Sequence, residues 1–443
     1  MRAEEICQLL MRTCKAQGAS DVVVTVGQSE GLMIRFSNNE ITTVNALSEV
    51  TASIFVNDNG RKAGVNAADL SKKSLEAAAK KAVVLAKRAP ATSSYAPLPQ
   101  GPFSYDPRLL EGGRVPTDPK SLVRYAKEAI DAAQLEGALR VAGSLISDNG
   151  KVTLMTSGGA FGVMSKAALE ISLRAFGPDG GSGHSVSVAG KESDFKPVEA
   201  GAEAGRLAKM SSSPSEGEPG EYDAVLGPLV FADLVNQVGR SASAFSVEAG
   251  MSFLADKVGQ RVASEQVGIT DDPTLEGTFG SAPFDAEGLP TRQNRIIEAG
   301  LLKGYLHNST TAKRSGASTT ANAGLVAPRP FNLVVDAGQR SLEEMISSVE
   351  RGIYVTNNWY LRYQNYQTGE FSTIPRDAMF LIENGRIARP IKELRISDNL
   401  LRMLSSIKEV GKERRWIRWW EVDVPTLCPT ALVSKVKFTK SKR

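Results

Sequence analysis

Histidine and cysteine are scarce in this sequence, which holds two histidines and three cysteines among 443 residues. A Ser-His-Asp or Cys-His catalytic group would need His184 or His307, and neither stands in a nucleophile-elbow sequence. We therefore predict both histidines to be polar loop residues. Cys7, Cys14 and Cys428 lack metal-ligand spacing, and the first two, seven residues apart on a predicted helix, are expected to be buried as small hydrophobic side chains.

Long apolar runs and a strong excess of one charge are absent as well. No apolar stretch approaches the roughly 18 residues that span a bilayer, and the first residues lack the apolar core of a signal peptide. The chain has 53 Lys and Arg against 49 Asp and Glu, and a net charge of +4 is weak for nucleic-acid binding, which requires a dense basic surface. We expect a cytoplasmic protein without membrane contact, and we disfavour nucleic acid as a partner.

The residues that are present are typical of a globular protein, with 42% hydrophobic and 23% charged residues in a chain long enough for two or three domains. Their patterns predict an α+β fold, with an N-terminal α/β region followed by a mostly β C-terminal domain. Four segments are predicted: an N-terminal α+β unit (1–89), a Pro/Gly-rich crossing segment (90–118), a second α+β unit (119–218) and a β-rich C-terminal domain (219–443).

Each of the two N-terminal units is predicted to run helix, β-meander, helix. In the first unit, helices at 3–17 and 67–88 flank strands at 21–26, 32–44 and 50–56, with a hairpin turn at Asp58-Asn59-Gly60. In the second unit, helices at 119–135 and 198–210 flank strands at 139–147, 152–156, 160–164 and 169–176. The shared order indicates a duplicated unit, but shared order without shared residues leaves duplication and coincidence both open.

The richest glycine cluster runs from Gly177 to Gly183. A phosphate-binding loop would require a strand before it and the N-terminus of a helix after it. Residues 186–189 have the pattern of another strand, so we interpret the cluster as a hairpin tip. Beyond residue 219, short apolar runs separated by glycines predict a mostly β domain with a few helices.

Ordered segments of the second half resemble the TldD/PmbA family, also called modulators of DNA gyrase. The segments that carry the resemblance are Gly259-Gln-Arg-Val-Ala-Ser264, Asp271-Asp272, 283–291, 300–306, 352–356, 368–372, 382–387 and 398–400. The resemblance covers nearly the whole chain. It implies a TldD or TldE (PmbA) subunit of a cytoplasmic zinc-dependent peptidase in which the two kinds of subunit pair.

The TldD-type subunit of this family carries His-Glu-x-x-x-His on a helix, ahead of its equivalent of Gly259–Ser264. The resemblance places Val235 and Arg240 at the histidine positions and Asn236 at the glutamate position. Valine cannot bind a metal, asparagine cannot act as a general base at neutral pH, and arginine repels a cation. The family's cysteine ligand, in a Cys-Gly-Lys sequence, has no counterpart here, and Cys428 is not matched to it.

The resemblance therefore implies a TldE/PmbA-type subunit with no catalytic residue, no metal ligand and no cofactor of its own, and with zinc in a TldD-like partner chain. Two interpretations of Arg240 stay open. Its guanidinium fills the former metal cavity and pairs with an acid such as Glu248, or it is a solvated surface group.

Six polar residues are candidates for a groove that holds an extended peptide, as the family implies: Asp285, Glu287, Tyr305, Asn322, Asn365 and Glu383. Each has an alternative role in capping a turn or holding a loop. The aromatic run 359–366 suits either packing or a peptide wall. The Trp- and Arg-rich run 412–420 favours a partner surface or a core edge over a nucleic-acid site.

Three functions follow as hypotheses. The first is a non-catalytic TldE/PmbA-like subunit that joins a TldD-like metallopeptidase chain to degrade small or unfolded peptides. The second is a stand-alone homodimer that binds peptides or regulates another protein, and the third is a hydrolase with an unrecognised site.

Overall fold

The computed structural model of the chain describes residues 1–92 and 94–441. Ser93, in the predicted crossing segment, and Lys442 and Arg443, at the end of the predicted C-terminal domain, lie outside the described residues. Within those ranges, no helix is both long enough and apolar enough to cross a membrane.

The N-terminal half is one antiparallel sheet covered by helices. Its elements are α1 (Ala3–Ala16), β1 (Asp21–Ser37), β2 (Glu40–Asp58), β3 (Arg61–Ala67), α2 (Lys72–Arg88), α3 (Pro107–Leu110), α4 (Pro119–Leu135), β4 (Arg140–Thr156), β5 (Phe161–Phe176), β6 (Ser182–Ala189) and α5 (Pro197–Met210). The strand order is β3-β2-β1-β4-β5-β6, so β1 and β4 join the two predicted units in a single sheet. The boundaries drawn from the sequence at 89, 118 and 218 stay predictions.

The predicted strands were too short. β1 runs without a break through Gly27–Gly31, a stretch that lies between two predicted strands, because these residues pair with β2 on one side and β4 on the other. The predicted run 32–44 is instead divided by a turn at Asn38 and Asn39, both at positive φ. β4 and β5 likewise each join two predicted strands. Hydrogen bonds to both neighbours stabilise extended backbone that local composition disfavours.

Several local predictions for this half are confirmed. Asn59 and Gly60 turn at φ values of 51° and 83°, as a tight hairpin requires. The cluster Gly177–Gly183 joins β5 to β6 as a hairpin tip. Cys7 and Cys14 lie on one face of α1 and are fully buried in the core between α1, α2 and the sheet.

The C-terminal half is mostly β, as predicted. Its elements are β7 (Ser215–Glu216), β8 (Gly220–Leu226), α6 (Pro228–Ser241), α7 (Ala244–Glu248), β9 (Ile269–Asp271), β10 (Asn294–Glu298), β11 (Leu301–Leu302), α8 (Ser309–Ser315), β12 (Leu333–Val335), α9 (Leu342–Ser347), β13 (Arg351–Val355), β14 (Trp359–Asn365), β15 (Glu370–Ile374), β16 (Met379–Glu383), β17 (Arg386–Lys392), β18 (Leu394–Asn399), α10 (Leu400–Ser405), β19 (Ile407–Val410), β20 (Arg415–Trp419), β21 (Val422–Cys428) and β22 (Ala431–Lys440). The strands form a ten-stranded sheet that starts at β14 and a six-stranded sheet that ends at β20. Residues of α6 and of both sheets share the largest hydrophobic core.

Charged and aromatic side chains join the N-terminal sheet to the C-terminal half. Arg415 pairs with Glu203 of α5, and Arg418 pairs with Glu170 of β5 at 2.7 Å. Trp419 is buried, with its ring centroid 4.6 Å from that of His184. The run 412–420 is therefore a core edge at this junction, although the neighbouring Trp420 stays 79% exposed.

The prediction of a loop position was wrong for His184, which lies in β6 and is 1% exposed. Its Nε2 is 3.0 Å from the Ser172 hydroxyl, and Trp359 and Trp419 pack against its ring. The glycine cluster that precedes His184 in the sequence predicts a loop, but the chain has already entered β6 at this histidine. His307 does lie in a loop, where it is nevertheless buried and its Nδ1 is 3.2 Å from the Thr311 hydroxyl.

Candidate functional site

The helix that the resemblance singled out, α6, begins at Pro228 and runs through the core between the two C-terminal sheets. Val235 is fully buried among apolar side chains of this core. Arg240, five residues later, leaves the core at the last turn, with half of its side chain exposed. Val235 therefore faces the core, whereas Arg240 reaches the surface at the end of the helix.

Asn236 is fully buried and holds α6 against β21. Its side-chain Nδ2 donates to the Val424 carbonyl at 3.1 Å and to the Thr426 hydroxyl at 2.7 Å. Its Oδ1 accepts a hydrogen bond from the Val424 backbone N–H at 3.0 Å. Asn236, which stands at the glutamate position of the family motif, thus joins α6 to β21.

Arg240 pairs with Asp423, whose Oδ1 lies 2.7 Å from the guanidinium. The predicted partner, Glu248, pairs with Arg314 instead, so that prediction was wrong. Glu248 follows α6 closely in sequence, but α7 carries it toward α8, whereas β21 brings Asp423 beside the last turn of α6. Half-exposed and ion-paired, Arg240 lies at the wall of a cavity and does not fill it.

This cavity has a volume of about 410 Å³ and lies between the outer face of α6, β14 and the turn after β20. Its lining residues are Gln237, Arg240, Ser241, Ser246, Met251, Leu361, Arg362, Tyr363, Tyr366, Trp420 and Glu421. The Tyr363 and Tyr366 rings lie 4.5 Å apart at their centroids and form an aromatic wall. Within the described ranges, β14 pairs with β15 alone, so its other edge is free beside the cavity.

Beneath the cavity, Asp233 connects α6 to the start of β14. The carboxylate is completely buried and accepts hydrogen bonds from Gln237 Nε2 at 3.1 Å and Asn358 Nδ2 at 2.6 Å. Burial raises the pKa of Asp233 to about 7, although these two donors oppose the change. Glu421, at the edge of the cavity, accepts from the backbone N–H of Tyr360 at 2.9 Å. Both acids are thus engaged in holding β14.

Three of the predicted groove residues lie in a separate buried network. Asp285 accepts from the backbone N–H groups of Glu287, Leu289 and Ala323, and burial raises its pKa to about 7. Glu287 accepts from the backbone N–H of Ser309 at the start of α8. Asn322 donates to Asp271 at 2.6 Å. These contacts match the alternative role given for these residues, which is to hold loops and not to bind a peptide.

The other three predicted residues are dispersed. Tyr305 donates its hydroxyl to the Leu254 carbonyl at 2.8 Å. Asn365, exposed at the end of β14, accepts from the backbone N–H of Gln367 in a turn. Glu383 is exposed beside the β16–β17 hairpin tip at Asn384. The structure does not bring the six residues into one groove, and Asn365 alone lies on the strand beside the α6 cavity.

Potential metal ligands do not cluster in the part of the chain that the structure describes. No three His, Cys, Asp or Glu side chains there are grouped so that they could hold a metal ion. Cys428 is fully buried at the end of β21, and burial raises the pKa of its thiol.

Profiles of two domains match the chain. The PmbA/TldA metallopeptidase C-terminal domain matches residues 219–440, half of the chain, and PmbA/TldA metallopeptidase domain 1 matches residues 22–86. The chain belongs to the PmbA/TldD family. The matched C-terminal range contains both α6 and the cavity beside it.

Individual relatives agree with this assignment. A metalloprotease from Methanothermobacter thermautotrophicus is 28% identical over 71% of this chain and 72% of its own length. A metalloprotease from Methanocaldococcus jannaschii is 34% identical, over 47% of this chain and 46% of its own length.

Two crystal structures share the fold across nearly the whole chain. A proposed modulator of DNA gyrase from Thermotoga maritima is 24% identical, with a TM-score of 0.84 over 98% of this chain and 100% of that one. TldE from Thermococcus kodakarensis is 21% identical, with a TM-score of 0.84 over 98% of this chain and 99% of that one.

The residues around the α6 cavity were largely missed from the sequence. The sequence holds one signal for them, the aromatic run 359–366, which suits either packing or a peptide wall. The structure divides the run between both roles. Trp359 packs against Trp419, with centroids 4.8 Å apart, whereas Tyr363 and Tyr366 line the cavity. The helical period places Gln237 and Ser241 on the cavity side of α6 only once the buried face of the helix is known.

Replacing the buried Asn236 with alanine is expected to destabilise the protein by about 1–3 kcal/mol, because it leaves the partly buried N–H and carbonyl of Val424 without this partner. Urea unfolding followed by circular dichroism measures the change. Asn45→Ala, at an exposed site on β2, is the matched control and should change stability by less than about 0.5 kcal/mol. Equal effects of the two substitutions would contradict a structural role for Asn236.

Proposed function

We propose that this chain is the non-catalytic, TldE/PmbA-type subunit of a cytoplasmic zinc peptidase in which a TldD-like chain supplies the metal. The observation that carries the proposal is the composition of α6 in its structural setting. Val235 lies in the core, Asn236 is bonded to β21, and Arg240 is paired with Asp423. None of these side chains can bind zinc or accept a proton from water at neutral pH.

The metalloprotease names of the relatives and the name TldE of a structural neighbour agree with this proposal. The α6 cavity supports a peptide as the bound molecule. An extended peptide can add to the free edge of β14 through main-chain hydrogen bonds, which require little of its sequence. Tyr363 and Tyr366 offer apolar surface with hydroxyl groups, and Gln237 and Arg362 offer donors. We propose that this chain holds small or unfolded peptides here while its partner cuts them.

The test is a peptidase assay with the purified chain, a TldD-like chain bearing His-Glu-x-x-x-His, and a mixture of the two. We expect cleavage of an unfolded peptide in the mixture, none by this chain alone, and loss of the activity when a zinc chelator is added. Size-exclusion chromatography should show a complex of the two chains. Zinc measured by atomic absorption should accompany the partner and be absent from this chain alone.

The other outcomes separate the remaining hypotheses. Chelator-insensitive cleavage by this chain alone would overturn the proposal in favour of a hydrolase with an unrecognised site. A stable homodimer that binds peptide, does not associate with the TldD-like chain and adds nothing to its activity would favour a stand-alone binding or regulatory protein. Stoichiometric zinc in the isolated chain would contradict the assignment of α6.

A further inference from the structure

Guanidinium groups and aromatic rings alternate in a row at the junction of the two halves. The Arg140 guanidinium lies 5.6 Å from the centroid of the Phe176 ring, and that of Arg174 lies 5.0 Å from the same ring. Arg174 also lies 5.8 Å from the Trp359 ring, and Arg376 lies 5.3 Å from it. The rings thus hold three cations close to one another.

The row has fewer acids than cations. Arg174 pairs with the buried carboxylate of Asp377 at 2.6 Å. Among the residues that the structure describes, no carboxylate lies within ion-pair distance of Arg140 or Arg376. Like charges held together repel, and a bound anion would relieve that repulsion.

The row borders a cavity of about 730 Å³, which is within the usual range of about 300–1,000 Å³ for small-ligand sites. The lining of this cavity contains four cationic side chains, those of Arg140, Arg174, Arg376 and Lys392. It also contains two acidic side chains, those of Asp377 and Glu393, so the net charge of the lining is +2. The glycine tip between β5 and β6 forms another wall, with Gly177, Gly180 and Gly181 in the lining.

We propose that this cavity binds a small ligand bearing phosphate groups. A guanidinium is planar and matches the paired oxygens of a phosphate, and a polyphosphate carries enough charge for the excess cations. The cations converge on one concave cavity formed by strand ends and loops from both halves, which suits a compact ligand better than an extended nucleic-acid strand. This site is distinct from the α6 cavity and does not depend on the proposed peptidase function.

The test is isothermal titration calorimetry of the full chain with pyrophosphate, ATP and adenosine. We expect pyrophosphate and ATP to bind and adenosine not to bind, with affinity falling as salt is raised. Equal affinities for pyrophosphate and ATP would assign recognition to the phosphates, and tighter binding of ATP would indicate a nucleotide as the ligand. Arg140→Gln, Arg376→Gln and Lys392→Gln should each weaken pyrophosphate binding about tenfold, since each removes a charge-assisted contact.

Arg88→Gln is the matched control, since Arg88 is an exposed arginine on α2 remote in the fold from the cavity, and it should leave the affinity unchanged. Melting curves of all four variants should coincide with that of the unmodified chain, because the replaced side chains lie at the surface or cavity wall. The proposal is overturned if pyrophosphate does not bind, if the three cavity variants bind it as well as Arg88→Gln does, or if only an acidic peptide binds.

Discussion

Replacing Asp377 with alanine is expected to lower the free energy of unfolding by about 3–5 kcal/mol, because it leaves the partly buried guanidinium of Arg174 without its carboxylate. The Asp377 side chain is fully buried and also accepts from Asn357 Nδ2. Burial by itself raises the pKa of Asp377, but Arg174, together with His184 and Asn357, outweighs it and holds this pKa below its ordinary value. The buried acid is thus ionised and paired in the folded protein.

Urea unfolding at neutral pH measures this effect. The matched control is Asp106→Ala, which removes the carboxylate from a solvent-accessible pair with Arg108 and from the N-cap of α3, and should change stability by about 0.5–2 kcal/mol. The double substitution Arg174→Met with Asp377→Leu should recover much of the loss, since it leaves no buried charge unpaired. If Asp377→Ala behaves like Asp106→Ala, the pair does not hold the two halves together.

Acid conditions are expected to destabilise the protein through His184. Burial lowers the pKa of His184 to about 4, and the nearby Arg174 also lowers it, whereas Asp377 opposes the change. The unfolded chain takes up a proton on this histidine near pH 6.5, so between pH 6.5 and 4 the unfolded state binds more protons. Stability therefore falls as the pH drops through this range, by ~3 kcal/mol for this residue when complete.

Comparison with a variant isolates this contribution from that of the carboxylates. His184→Gln removes the titrating ring, so its stability should depend less on pH between 6.5 and 4 than that of the unmodified chain. The measurement is urea unfolding at half-unit pH steps, and the informative quantity is the difference between the two pH curves. Parallel curves would show that His184 titrates alike in the folded and unfolded states.

The candidate site could be predicted only in part. The family resemblance, together with the absence of histidine at positions 235 and 240, identified α6 and the zinc ligands that it lacks. The partners of its side chains were beyond sequence reasoning, because they come from distant segments. Asp423, which pairs with Arg240, is more than 180 residues away along the chain, whereas the predicted Glu248 is a close neighbour. Sequence proximity favours a nearby acid, but strand pairing decides which acid is adjacent.

The groove residues illustrate the same limit. Asp285, Glu287 and Asn322 belong to matched or neighbouring polar segments, and a polar side chain before a turn suits substrate binding and loop capping equally well. Burial decides between these roles, since a buried carboxylate requires several donors, and the backbone supplies them at Asp285. The aromatic run that contains Tyr363 and Tyr366 is visible in the sequence. Only the position of β14 at the sheet edge shows that these two tyrosines line the cavity, whereas Trp359 packs against Trp419.

By itself, the sequence determined the family, the α+β class, the four long helices of the N-terminal half, the hairpin turn at Asn59 and Gly60, and the lack of zinc-binding side chains in α6. These features depend on local periodicity, on backbone conformations that few residues adopt, and on residue identity. The tertiary structure decided the lengths of β1 and β4, the burial of His184, the partner of Arg240 and the row of arginines at the junction. Each of these depends on contacts between segments remote in sequence, which local patterns do not encode.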